Sequence, residues 1–226
     1  MQSSEPPKVD VLIPARNQGQ KLPTLLATLP HTLLRSVVVI DNGSSDETAA
    51  IARQAGAVVL REPRVGRGAA CLAGIRHLAD LPVAPDIVAF ISADGSDEPG
   101  DLARLIAPIS QGNAELVIGV RQENQRGSAP SKMVLSLIGA IYRHRFQDLG
   151  PLRAIRYPAL VALSLTEASE AFDVEMLVKA VKLGLRIEEI PVRSRRPRDR
   201  SWQGLSSSAK VTGRSLFQIL RHSTSR

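Results

Sequence analysis

The stretch VVVIDNGSSDETAAIARQAGA, Val37 to Ala57, passes from a buried strand through a tight turn into a helix. Val37, Val38, Val39 and Ile40 are apolar and β-branched, the composition of a strand covered on both faces. Asn42-Gly43 supplies turn residues, Ser44-x-x-Glu47 has the spacing of a capping box, and Gly56 closes the helix. Capping accounts for Ser44 and Glu47 but leaves Asp41 unused. That residue sits at the C-terminal tip of the strand, where open α/β sheets hold their ligands.

Working outward, five apolar runs, VDVLIP, VVVI, AVVL, DIVAFI and ELVIGV, alternate with segments that carry helical periodicity. The alternation predicts a single α/β domain with a mostly parallel sheet flanked by helices. After Arg121 the rhythm breaks into MVLSLIGAIY, DLGPLRAIR, the helical DVEMLVKAVKLG ended by Gly184, and the strand-like LRIEEIPV. MVLSLIGAIY reads either as an apolar docking surface or as a core helix. The organisation expected is a flexible N-terminus (1–7), a ligand-binding half (8–121), a continuous second half (122–200) and a basic C-terminal segment (201–226).

The chain has 226 residues and a net charge of +7, with a single cysteine, Cys71. It is long enough to bury a core without disulfides, and one cysteine fits a reducing, cytoplasmic setting. No run approaches the roughly 20 apolar residues of a membrane span. From Leu185 onward ten Lys or Arg stand against three Asp or Glu, so the whole charge surplus lies at the C-terminal end. The aromatic content of 3% offers no stacking platform for a nucleic acid, which is excluded as a partner. His31, His77, His144 and His222 lack metal-ligand spacing.

A second acidic strand end is DIVAFISADGSDEP, which delivers Asp94 to the same sheet edge as Asp41. Pro99, preceded by Asp97 and Glu98, has the composition of a helix start, so capping accounts for those two acids. Asp94, in the loop before them, is placed to give a divalent cation a hard oxygen ligand, with phosphates and water completing the shell. Between the two acidic ends, RVGRGAACLAG offers Gly66 and Gly68 beside Arg67, a pattern that lets backbone approach a phosphate or ribose.

In order along the chain, VLIPARNQ, VVVIDNGSSDET, GRGAACLAG, ISADGSDEP, ELVIGVR, DLGPLRAIR and DVEMLVKAVKLGLRIEEIPVRSR resemble the family 2 glycosyltransferases of the GT-A fold. Within them the likeness is to the polyprenyl-phosphate sugar transferases, similar to dolichyl-phosphate mannose synthase. The resemblance implies a Mg²⁺- or Mn²⁺-dependent, inverting transfer of a hexose from a UDP- or GDP-linked donor, with a lipid phosphate or membrane surface as partner. It also implies peripheral placement at the inner membrane face.

On individual residues, the resemblance puts Pro14, Ala15, Asn17, Asp41, Gly43, Arg67, Gly68 and Ala93 around the nucleotide. Asp41 would accept hydrogen bonds from the base, Asp94 would hold the metal, and Asp94, Arg121 and Asp148 would serve catalysis. Arg121, Arg126 and Arg153 would meet acceptor phosphate. The family's Asp-x-Asp is Ser92-Ala93-Asp94 here, so one carboxylate has become a hydroxyl, and Gln18 stands where Glu is usual. IPARNQGQKLP, with Lys21, also resembles the opening of sugar nucleotidyltransferases, the alternative enzyme reading. A catalytically weak nucleotide-binding GT-A module is the other.

Overall fold

The computed structural model describes residues 5–122 and 129–194, together with Gly213, Ser215 and Phe217. All five apolar runs form strands: β1 (Val9–Ala15), β2 (Ser36–Asp41), β3 (Val58–Arg61), β4 (Ile87–Phe90) and β5 (Leu116–Val120). The strand-like C-terminal run adds β7 (Ile187–Pro191), and DLGPLRAIR contributes a further strand, β6 (Arg153–Arg156). The seven strands lie in the order β3-β2-β1-β4-β6-β5-β7. Only β6 is antiparallel to its neighbours, pairing Phe90 with Arg153 on one side and Ile118 with Arg153 on the other.

Because β6 runs backwards, its first residue, Arg153, stands in register with Phe90, the last residue of β4, and with Ile118 of β5. Chain order reverses between β1 and β4, the place where such sheets open a crevice for ligands. Ala15 and Asp41 stand side by side there, in register across β1 and β2.

Helices cover both faces: α1 (Leu22–Thr28), α2 (Thr48–Gln54), α3 (Arg67–Ala79), α4 (Leu102–Ser110), α5 (Ala129–Tyr142), α6 (Tyr157–Ala162) and α7 (Phe172–Lys182). Two apolar layers result. One, around Leu12, Phe90 and Phe172, packs under α3, α5 and α7, and the other, around Ile13, Ile91 and Leu105, packs under α1 and α4. The apolar run MVLSLIGAIY is the core helix of the two readings: within α5, Val134, Leu135 and Ile138 join the first layer. Among the described residues no helix is long and apolar enough to cross a membrane.

The capping box expected before α2 does not form. Glu47 occupies the N-cap position without a side-chain bond, while Ser44 Oγ accepts the Asn17 amide at 3.0 Å. The helix start is held instead by Asp46, whose Oδ1 accepts the Thr48 amide at 3.0 Å and also the Thr48 hydroxyl. Its Oδ2 accepts the Gly19 amide at 3.0 Å, joining the β1 and β2 loops. Burial pushes the Asp46 carboxyl up, but the Thr48 hydroxyl and the Gly19 and Thr48 amides outweigh it and hold the group below its ordinary range.

Candidate active site

The β1 and β2 loops form the first wall. Pro14 and Ala15 end β1 as buried residues, and Asn17 follows with a left-handed φ of 52°. Its Oδ1 accepts the Ser45 amide at 2.8 Å, so Asn17 ties the two loops together and that oxygen is committed within the protein. Asp41 is 6% exposed, and its Oδ1 accepts the Ser44 amide at 3.0 Å. That bond fixes the carboxylate and leaves Oδ2 as an acceptor. Gly43, at φ 73°, turns the chain away from it. Asn42 reaches the opposite way, donating to the Glu62 and Arg64 carbonyls at 3.0 and 2.7 Å and accepting the Gly66 amide at 2.9 Å.

Gly68 does not approach a phosphate. The start of α3 is closed by the chain itself: the Arg67 amide donates to Glu170 at 3.1 Å, the Gly68 amide to the Ser169 carbonyl at 3.2 Å and the Ala69 amide to the Ala168 carbonyl at 2.8 Å. A Cβ on Gly68 would stand 2.4 Å from the Glu167 carbonyl oxygen. The glycine exists for this backbone contact, which locks α3 to the segment before α7. The Arg67 side chain turns inward, donating from Nε to Asp173 Oδ2 at 3.2 Å.

The loop after β4 carries the acids. Ala93 is buried, and Asp94 Oδ1 accepts the Ser96 amide at 3.0 Å. Asp97 is not a helix cap. Its Oδ2 accepts the Ser92 amide at 3.0 Å, and its Oδ1 is buried without a hydrogen-bond partner. Asp97 is only 5% exposed, and burial pushes its carboxyl up to about 6. The Ser92 amide works against that shift, Asp94 adds to it, and Arg121 and Arg67 oppose it.

This loop also fixes the end of β7. The Arg193 amide donates to Asp101 Oδ2 at 2.7 Å, and Ser194 bridges to Asp97. The donors around Asp94 are hard oxygens and include one orphaned buried oxygen, the set a Mg²⁺ or Mn²⁺ ion prefers. Among the described residues no three His, Cys, Asp or Glu converge to hold a metal.

Arg121, just past β5, is clamped by Asp148: Nε to Oδ2 at 2.7 Å and Nη2 to Oδ1 at 2.8 Å, with the Arg121 amide at 3.2 Å from Oδ2. Asp148 is 1% exposed and both of its oxygens accept from the Arg121 guanidinium. Burial opposes the Arg121 charge, yet Asp148 outweighs it and raises the pKa further.

Arg153 does not meet a phosphate either. It is 0% exposed, and its guanidinium donates to the Leu149 and Gly150 carbonyls at 2.8 and 2.6 Å. Burial lowers its pKa. Asp173 stands between the two inner arginines, with Oδ1 3.3 Å from Arg153 but without hydrogen-bond geometry. Glu175 is occupied by the Thr166 and Glu167 amides and by Lys179. Arg126 lies outside the described residues, as do Trp202 and the arginines from 195 onward.

Beside the Arg121–Asp148 pair, α5 and residues 145–148 enclose a cavity of about 550 Å³. Lys132, Ser136 and Arg145 supply its polar lining, and Leu135 and Phe146 its apolar wall.

The C-terminal ends of the strands therefore gather the pinned Asp41, the acidic loop Ser92 to Asp97 and the clamped Arg121 beside a cavity. The family model described as glycosyl transferase family 2 matches residues 10–161. This chain belongs to glycosyl transferase family 2. It is 35% identical over 193 residues to an uncharacterized glycosyltransferase of Mycobacterium bovis, covering 81% of this chain and 84% of that protein. It is 31% identical over 205 residues to an undecaprenyl-phosphate mannosyltransferase of Micrococcus luteus, covering 82% of each. The fold superposes on glucosyl-3-phosphoglycerate synthase of Mycobacterium tuberculosis, crystallised with Mn²⁺, UDP and glucosyl-3-phosphoglycerate. That match has a TM-score of 0.77 at 19% identity and covers 96% of this chain and 80% of that one. Membership of a glycosyltransferase family decides for sugar transfer over nucleotidylation.

Within this family 2 chain the sequence reading passed over Lys132, Arg145 and Asp97. A signal for the first existed: Lys132, Ser136 and Gly139-Ala140 form a polar and small stripe at helical spacing, away from Val134 and Ile138. For Asp97 the signal was a second carboxylate in Ser92-x-Asp94-x-x-Asp97, shortly after a strand.

Proposed function

We propose that this family 2 glycosyltransferase moves a hexose, with inversion, from a UDP- or GDP-linked donor to a polyprenyl phosphate. Asp41 Oδ2 accepts from the ring N–H of the base, a task suited to an acceptor-only group. Pro14, Ala15, Gly43 and Ala93 shape the nucleotide cleft, and Arg67 backs it from within. Asp94 is the main protein ligand of a Mg²⁺ or Mn²⁺ ion shared with the diphosphate. When bound, that ion neutralises the departing nucleoside diphosphate.

The observation that carries the acceptor assignment is the state of the acceptor-side carboxylates. Asp148 is occupied by Arg121, and Asp173 lies between Arg67 and Arg153. A hydroxyl nucleophile needs a base to take its proton, whereas a phosphate arrives ionised. Arg121, Lys132 and Arg145 supply positive charge for such an acceptor, and the Leu135 and Phe146 wall suits the first isoprenoid unit. The similarity to an undecaprenyl-phosphate mannosyltransferase supports the same class. The arginine-rich run that opens at Arg193 favours an anionic membrane face by about 1 kcal/mol per basic residue near the surface.

A second reading takes a small phosphorylated hydroxy acid as acceptor, since the cavity is basic and the structurally similar synthase was crystallised with such a product. The test is release of nucleoside diphosphate, with Mn²⁺ present, on adding short-chain polyprenyl phosphate or phosphoglycerate. Release with the lipid phosphate alone supports the first reading, and release with phosphoglycerate alone supports the second.

A further inference from the structure

We propose that Asp97 replaces the carboxylate missing at Ser92 and is the second protein ligand of the divalent cation. The inference rests on the metal-dependent reading above and adds a residue to it. Ser92 stands where family members carry the first acid of Asp-x-Asp, and a hydroxyl there is a neutral, weak donor to a hard cation. The structure brings another carboxylate to the backbone of that residue. The loop from Ser92 to Asp97 turns through Gly95, at φ 72°, and brings Asp97 Oδ2 onto the Ser92 amide at 3.0 Å. The acid supplied three residues after Asp94 thus lies against the backbone of the residue that lost one.

Its second oxygen is what demands a ligand. Asp97 Oδ1 is buried and accepts no hydrogen bond, a costly state for a carboxylate in a folded chain. The two arginines that reach it electrostatically are both engaged by other acids, Arg121 by Asp148 and Arg67 by Asp173. A buried carboxylate oxygen without a donor is unfavourable until a cation meets it, and the charge of Asp94, three residues earlier in the same loop, adds to that cost. Asp97 does not cap the Pro99–Asp101 turn, whose N-cap position is Glu98, and the structural work of its side chain on the Ser92 amide uses Oδ2 alone. The bridge to Ser194 and the Arg193–Asp101 bond hold the loop in this arrangement from the β7 side.

Manganese binding to the full chain tests this without turnover. Free Mn²⁺ is counted by electron paramagnetic resonance during titration, in the presence of UDP and, separately, GDP. Asp97→Asn keeps an oxygen for the Ser92 amide and removes only the charge. It is expected to weaken Mn²⁺ binding at least tenfold in whichever nucleotide complex the wild type forms. Adding Ser92→Asp to Asp97→Asn is expected to recover most of that loss, which a merely structural role for Asp97 would not allow. Without metal or nucleotide, Asp97→Asn is expected to melt no lower than wild type. Wild-type Mn²⁺ affinity in Asp97→Asn overturns the inference and leaves the metal-dependent reading standing. No Mn²⁺ binding by the wild type with either nucleotide overturns both.

Discussion

The two halves of this sheet edge use carboxylates in opposite ways. On the donor side Asp41 and Asp97 each have one oxygen fixed by a backbone amide, at Ser44 and Ser92, and keep the other for something the chain does not supply. On the acceptor side Asp148 and Asp173 are covered by arginines, and the charge offered outward is that of Arg121. A carboxylate pinned by one amide is an aimed acceptor, whereas one clamped by a guanidinium is a support. In the proposed function that difference divides base and cation recognition from recognition of an anionic acceptor.

The largest test of this contrast is Arg121→Ala. It removes the outward charge and leaves Asp148 buried beneath it, so transfer is expected to fall by about 100-fold or more. Nucleotide affinity, measured by calorimetry, is expected to change little. If the variant instead loses nucleotide binding while keeping turnover of bound donor, Arg121 belongs to the donor side.

Next in size is Asp173→Asn, which strips a negative charge from between Arg67 and Arg153. Breaking a buried pair in this way costs about 3 kcal/mol, visible as a lower midpoint in chemical denaturation. A midpoint matching wild type would show that the carbonyls of Leu149 and Gly150 suffice to hold Arg153.

A pH series separates Asp97 from the supporting acids. Its folded pKa of about 6 lies above the ordinary value of 3.8, so its contribution to stability is present below that ordinary value and is lost as pH rises through about 6. Asp46 and Glu62 have the opposite sign: held low by their donors, they contribute above the ordinary carboxylate range and lose that contribution as pH falls. Metal-free Asp97→Asn is therefore expected to gain about 1–3 kcal/mol over wild type at pH 7 and to converge with it near pH 4. A variant less stable than wild type at pH 7 would make Asp97 a support like Asp148.

The smallest effect lies at α2. Asp46→Ala is expected to cost about 1 kcal/mol through the lost Thr48 and Gly19 bonds, and Glu47→Ala to fall within about 0.5 kcal/mol of wild type. Equal losses in thermal melts would restore the capping box.

Strands β1 to β5 were legible because apolar runs between turn signals depend on burial alone. β6 was not, because Arg153-Ala154-Ile155-Arg156 is short and opens on a charge, and its pairing with β4 and β5 is set by tertiary contact. Arg153 reads as a surface phosphate ligand until the carbonyls that bury it, contributed by the DLGP turn, are seen folded onto it. Ser44 looks like a cap because its true partner, the Asn17 amide, lies 27 residues away. Asp41 and Asp94 stand out in the sequence for a simpler reason: an acid just past a buried strand has few structural uses. Asp97 failed the same test only because Pro99 nearby offered a local explanation.

The central claim is that the acceptor arrives ionised, since Asp148 and Asp173 are both occupied by arginines. The direct measurement compares the full chain, with its nucleotide sugar and Mn²⁺, on short-chain polyprenyl phosphate and on the corresponding unphosphorylated polyprenol. Glycosylated lipid is expected from the phosphate and not from the alcohol, with a rate that stays flat from about pH 7 to 9, where no base need lose its proton. Efficient transfer to the alcohol, rising with pH as a buried carboxyl ionises, would contradict the account.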